Sequence, residues 1–119
     1  MNAKIRTKRV YEPPGRADGA RVLVERLWPR GLTKASAALD LWLKDVAPSP
    51  GLRKWFAHDP AKWDEFQRRY EAELRDNPDA VNVLRAKADE GPLTLVYAAK
   101  DQERNSAVLL QRFLSRRSR

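Results

Sequence analysis

Short unbroken apolar runs alternate along the chain with apolar residues at helical spacing, and together they divide it into elements. Val22-Leu23-Val24 sits in a strand predicted over 20–27, continuous enough to be buried on both faces. Leu93-Thr94-Leu95-Val96-Tyr97-Ala98 is a second such run and reads as the central strand of a sheet. A weaker strand over 4–11 is stopped by Pro13-Pro14-Gly15. Between 39 and 46 the period is two. Leu39, Leu41 and Leu43 fall on one side and Asp40, Trp42 and Lys44 on the other, which predicts a strand with Trp42 as the most exposed aromatic.

Helices are punctuated by three dipeptides, Ser49-Pro50, Asp59-Pro60 and Asn77-Pro78. Each puts a capping side chain before a proline at the first helical position. They predict helices from Pro50 to Phe56, from Pro60 through a face of Trp63, Phe66, Tyr70 and Leu74, and over 79–89. Gly91 is placed to end the last of these as a natural residue just past a helix. A final helix over 103–115 turns Ala107, Leu110 and Leu114 inward. Strand, helices, strand, helix in this order predicts an α/β fold: one domain over 1–115, with a small, partly parallel sheet flanked by helices. The basic residues 116–119 read as a disordered tail.

Composition narrows the chemistry. There is no cysteine and one histidine, His58. That excludes thiolate nucleophiles, iron–sulfur clusters and Cys- or multi-His metal sites, so neither a metal nor a cofactor is expected. No apolar run nears the length of a membrane span, and the N-terminus lacks the apolar centre of a secretory signal. The expectation is a cytoplasmic protein with no membrane partner. The net charge of +8 is uneven: residues 1–34 carry +6, residues 104–119 carry +5, and the stretch between is acidic. Basic ends of this kind suit an anionic partner, or only a solvated surface.

Several separated blocks now coincide with one family pattern. They are Lys8-Arg9-Val10-Tyr11, Val24-Glu25-Arg26-Leu27-Trp28-Pro29-Arg30-Gly31, Leu41-Trp42-Leu43-Lys44, Ala47-Pro48-Ser49, Leu52-Arg53-Lys54-Trp55-Phe56, His58-Asp59-Pro60 and Leu95-Val96-Tyr97-Ala98-Ala99-Lys100-Asp101. In these residues the chain resembles the YeaO-like branch of the domain-of-unknown-function family 488 over nearly its whole length. The resemblance implies a small prokaryotic α/β domain and no particular activity. Members often carry a His-Asn-His cluster after the last strand; this chain has Arg104-Asn105-Ser106 there, so a role needing those histidines does not carry over.

Ligands of open α/β sheets sit beyond the carboxyl ends of the strands. Two loops qualify, Arg26 to Gly31 and Ala99 to Asn105. On parallel strands they would bring Arg26, Arg30 and Lys100 together on an anion, with Asp101 and Asn105 orienting it and Lys44 and Arg53 extending the basic cleft. Arg26 could instead brace a loop through Asp45 or Asp101. Trp28 could stack on a ligand but fits the core better. Trp42 and Trp55 are further aromatic candidates for the cleft wall. His58 and Asp101 are the candidate proton carriers, although His58, just before a helix cap, also suits a backbone-bonding role.

Three function classes follow. The favoured one is a basic cleft for a phosphate- or carboxylate-bearing ligand, with catalysis left open. The second is a nucleic-acid-binding module using the basic termini. The third is a protein-interaction domain. Oligomeric state is not legible.

Overall fold

A computed structural model describes residues 5–116. Four strands form one sheet: β1 (Ile5–Arg9), β2 (Ala20–Leu23), β3 (Leu41–Trp42) and β4 (Leu93–Tyr97). Their order is β1-β4-β2-β3 and every pairing is parallel. The fully buried run of β4 takes the centre, as its sequence predicts. Val22 and Val24 point into the larger core while Leu23 points into a smaller one on the opposite face, so the run of β2 is indeed covered on both sides.

Five helices surround the sheet: α1 (Lys34–Ala37), α2 (Pro50–Phe56), α3 (Trp63–Arg75), α4 (Pro78–Glu90) and α5 (Ser106–Ser115). The larger core joins α2 to α5 to one sheet face, and Phe66, Tyr70 and Leu74 of α3 supply its interior as the helical spacing predicts. The smaller core joins Val10, Leu23, Ala37 and Val96 to Trp28, Leu32, Leu39 and Trp42.

Several boundaries move for local reasons. The strand predicted over 39–46 shrinks to two residues, because Lys44–Val46 closes into a 3-10 turn. Leu39 packs with Trp42 rather than opposite it, and Trp42 is half-buried, its Nε1 donating to the Glu25 carbonyl at 2.6 Å. Ser49 and Asp59 cap as expected, accepting from the Leu52 and Ala61 amides. Asn77 does not cap; its side-chain amide donates to the Asp45 carbonyl at 2.8 Å. Gly91 follows the end of α4 as expected, in an extended conformation at φ 162°. Asn105 caps α5 through the Val108 amide, which starts that helix at Ser106 rather than near 103. Of the predicted tail, Arg116 follows α5 with its guanidinium on the Glu71 carboxylate, and 117–119 lie outside the described residues.

The amino-terminal edge of the sheet is held by charge. Buried Asp18 accepts from the Arg21 guanidinium at 2.7 Å, the Lys8 ammonium at 3.1 Å and the Gly15 amide at 3.0 Å. Burial alone would raise this carboxyl, but those donors outweigh it and hold it below the ordinary carboxylate range. Gly19 next to it has φ +63°, and a Cβ there would fall 2.2 Å from the Pro92 carbonyl oxygen.

Candidate functional site

After β2 the chain leads to α1 on one face of the sheet; after β4 it leads to α5 on the other. The two loops therefore diverge at the carboxyl ends of adjacent strands, where an open parallel sheet forms a crevice. A cleft of about 720 Å³ lies there. Its walls are the loop after β2 (Glu25 and Leu27 to Arg30), Tyr11 after β1, Ala98 and Ala99 after β4, the start of α5, and α2 with the turn that follows it.

The loop after β2 is pinned on three sides. The Arg26 guanidinium donates to the Pro48 carbonyl at 3.0 Å and to that of Ala47 at 3.4 Å. Trp28 Nε1 donates to the Leu32 carbonyl at 2.7 Å, and the Tyr11 hydroxyl to the Arg30 carbonyl at 2.9 Å. Gly31 at φ +83° lets the chain reverse immediately after Arg30. The Arg30 side chain is left exposed at the cleft.

Arg30, Arg53 and Lys54 are the cleft cations with no carboxylate within ion-pair distance among the described residues. Arg104 also lines the cleft but is paired with Asp101 at 3.1 Å. His58 lines it too, in the left-handed region at φ 58°, its ring centroid 6.1 Å from that of Phe56. No hydrogen bond ties its ring to the backbone among the described residues, so the backbone-bonding role is not what the geometry gives it. Phe56 and Phe66, stacked with centroids 4.3 Å apart, form an apolar wall.

The sequence-predicted convergence of Arg26, Arg30 and Lys100 is not what the fold builds. Arg26 turns away, directs its donors to two carbonyls rather than to Asp45 or Asp101, and borders a separate hollow beside Tyr70 and Glu73. Lys100 is exposed outside the cleft lining. Lys44 lies over the Trp42 ring, 4.3 Å from its centroid, behind the site. Asp101 is occupied with the turn before α5, accepting from the Glu103 and Arg104 amides and from Arg104 Nε. Those bonds hold its carboxyl below the ordinary range, which suits a turn brace more than a proton carrier. Asn105 reaches the cleft but is buried as the α5 cap, its amide donating to the Asp101 carbonyl. Trp28 is half-buried, lining the cleft with one edge while packing at 5.3 Å against Trp42, which does not reach it. Trp55 sits outside, under the Arg69 and Lys62 side chains. Arg30, Arg53, His58, Asn105 and Trp28 are thus brought together; Arg26, Lys44, Lys100, Asp101, Trp42 and Trp55 are not.

Sequence reading missed Glu25, a carboxylate lining the cleft. Its Oε2 accepts from the Ala98 amide at 2.9 Å, tying the ends of β2 and β4 together. Burial raises its pKa above the ordinary value; the Ala98 amide and the nearby Arg53 and His58 pull the other way without overcoming it. The available signal was its position, the first polar residue after an apolar strand. Lys54 was visible only as a charge beside Arg53. Among the described residues no group of three or more acidic or histidine side chains could hold a metal ion, and no helix is long and apolar enough to cross a membrane.

Comparison with known proteins places these features in a family. The family model described as the inactive DUF488-N3 subclade matches residues 4–119. An uncharacterised protein of Mycobacterium tuberculosis is 41% identical over 114 residues, 96% of both chains. The uncharacterised protein YeaO of Escherichia coli is 43% identical over 110 residues, 92% of this chain and 96% of its own. No solved structure gives a significant match.

Proposed function

We propose, for a chain that belongs to the inactive DUF488-N3 subclade, that the cleft binds a small phosphate- or carboxylate-bearing ligand without turning it over. The observation that carries this reading is the set of three cations, Arg30, Arg53 and Lys54, lining one concave site, none of them in an ion pair with a carboxylate among the described residues. Guanidiniums hold such anions through paired donors, and their hold strengthens where apolar walls displace water. Phe56, Phe66 and the prolines 29, 48 and 50 supply those walls. The volume falls within the roughly 300–1,000 Å³ of small-molecule sites. Binding rather than catalysis fits the subclade's description and the loss of Asp101 to a structural turn.

Thermal denaturation with inorganic phosphate, citrate and phenyl phosphate tests the reading. At a hundred times its Kd a ligand adds about 2.7 kcal/mol of stability, easily seen as a rise in midpoint. The rise should vanish in the double variant R30Q/R53Q. Equal rises in the variant and the parent, or none with any anion, would overturn it.

A further inference from the structure

Glu25 is out of place in a site that only attracts anions. It faces the same cleft as Arg30, Arg53 and Lys54, and a carboxylate there repels what they attract. Nor is it fully used by the fold. Its one side-chain hydrogen bond among the described residues is the Ala98 amide on Oε2, and no ammonium or guanidinium pairs with it within ion-pair distance. No buried side-chain oxygen of the described residues is both sealed and unpartnered, so its second oxygen keeps solvent contact. The cleft is the hollow it borders. A carboxylate oxygen that opens on the cleft from a half-buried side chain can exchange its water for a ligand's donor.

Resting on the anion-site reading above, we propose that the ligand is an organic phosphate whose ring carries N–H or O–H donors, the chemistry of a nucleoside monophosphate, and that Glu25 selects it by accepting from those donors. The phosphate lies on the cationic wall. The flat ring lies along the apolar surface that Leu27, Pro50 and Trp28 present to the cleft. The donor-bearing edge meets Glu25. Tyr11 and Leu27, 44% and 65% exposed, frame the rim with apolar surface that a ring covers and a bare phosphate does not. Inorganic phosphate lacks both ring and ring-borne donors, and phenyl phosphate has the ring without the donors.

Calorimetric titration of the full chain with inorganic phosphate, phenyl phosphate and the four ribonucleoside monophosphates tests this. At least one nucleotide should bind about tenfold or more tighter than phenyl phosphate, the scale of a hydrogen bond to a charged group. E25Q should bring that nucleotide close to the phenyl phosphate level while leaving phenyl phosphate and inorganic phosphate as tight or tighter, because a repelling charge is gone. Nucleotides no tighter than phenyl phosphate, or a preference that survives E25Q, overturns the assignment while the anion site stands. Failure of every phosphate to bind sinks both. Should E25Q not fold, the ranking in the parent protein decides alone.

Discussion

The loop after β2 holds one guanidinium engaged by the fold, Arg26, and one open to the cleft, Arg30, which the proposed reading assigns to the anion. Arg26→Met keeps the aliphatic stem and removes the donors to the Pro48 and Ala47 carbonyls, at 3.0 and 3.4 Å. One of these bonds is well formed and one is long, so the loss belongs at the lower end of the range for charged hydrogen bonds, about 1.5–2 kcal/mol. At roughly 4 °C per kcal/mol for a chain of this size, the thermal midpoint falls by about 6–8 °C. Anion affinity should change little, since Arg26 does not line the cleft. R30Q and R53Q should do the opposite: both side chains are exposed, so stability moves by no more than about 0.5 kcal/mol while the anion-induced shift is lost. Urea unfolding with and without phosphate reads both quantities on the same samples. An R26M variant with parental stability and no anion response would place Arg26 in the site and refute the division.

Further outcomes follow from buried groups. D18N leaves Arg21 and Lys8 facing a neutral partner at a buried position and should cost about 3–5 kcal/mol in urea unfolding. Because the Asp18 carboxyl is held low in the folded state, its stabilisation is full above the ordinary carboxylate pKa and is lost as pH falls through the lower folded value; D18N should lose that acid-side slope. Glu25 has the opposite sign: its raised folded pKa means stability declines as pH rises from the ordinary carboxylate value through the folded one, and E25Q should flatten that decline in a pH series of denaturation curves. Gly19→Ala combines a backbone at φ 63°, ψ −136°, a region open essentially to glycine, with a Cβ 2.2 Å from the Pro92 carbonyl oxygen, so it should cost at least the about 1–3 kcal/mol of a strained backbone, read as a lowered unfolding midpoint.

The elements legible in the sequence are those whose burial is set by their own pattern. The runs at 22–24 and 93–98 and the face Trp63, Phe66, Tyr70 and Leu74 each specify what they pack against. The carboxyl-edge location of the cleft was legible as well, because it follows from parallel topology. Elements settled by a distant partner were not. Asn77 reads as a cap, yet its amide finds the Asp45 carbonyl thirty-two residues earlier. The strand expected at 39–46 stops where Leu43 to Ala47 can close a 3-10 turn under Tyr70, whose hydroxyl donates to the Val46 carbonyl at 2.6 Å. Helix α1 carries few apolar residues and rests on the Thr33 and Ser36 cap and on Ala37 filling the smaller core.

Site residues were harder to read because the surplus of basic residues does not measure free positive charge. With 24 basic and 16 acidic side chains, many cations must do without a carboxylate, and the fold gives them carbonyls instead. Arg9 donates to Ala99, Arg26 to Pro48, and Lys62 to Trp55. Lys44 settles over the Trp42 ring. A cation engaged in this way is no more available to a ligand than one in an ion pair, because withdrawing it strands an oxygen or exposes a ring. Basic residues in a strand-end motif are therefore weak grounds for a ligand site until carbonyl and ring partners have been counted. That criterion removes Arg26 and Lys44 from the cleft and retains Arg30, Arg53 and Lys54. It also explains why one carboxylate among them carries such weight: Glu25 lines the same cleft as these three cations without pairing to any, so the cleft wall carries both signs of charge at once.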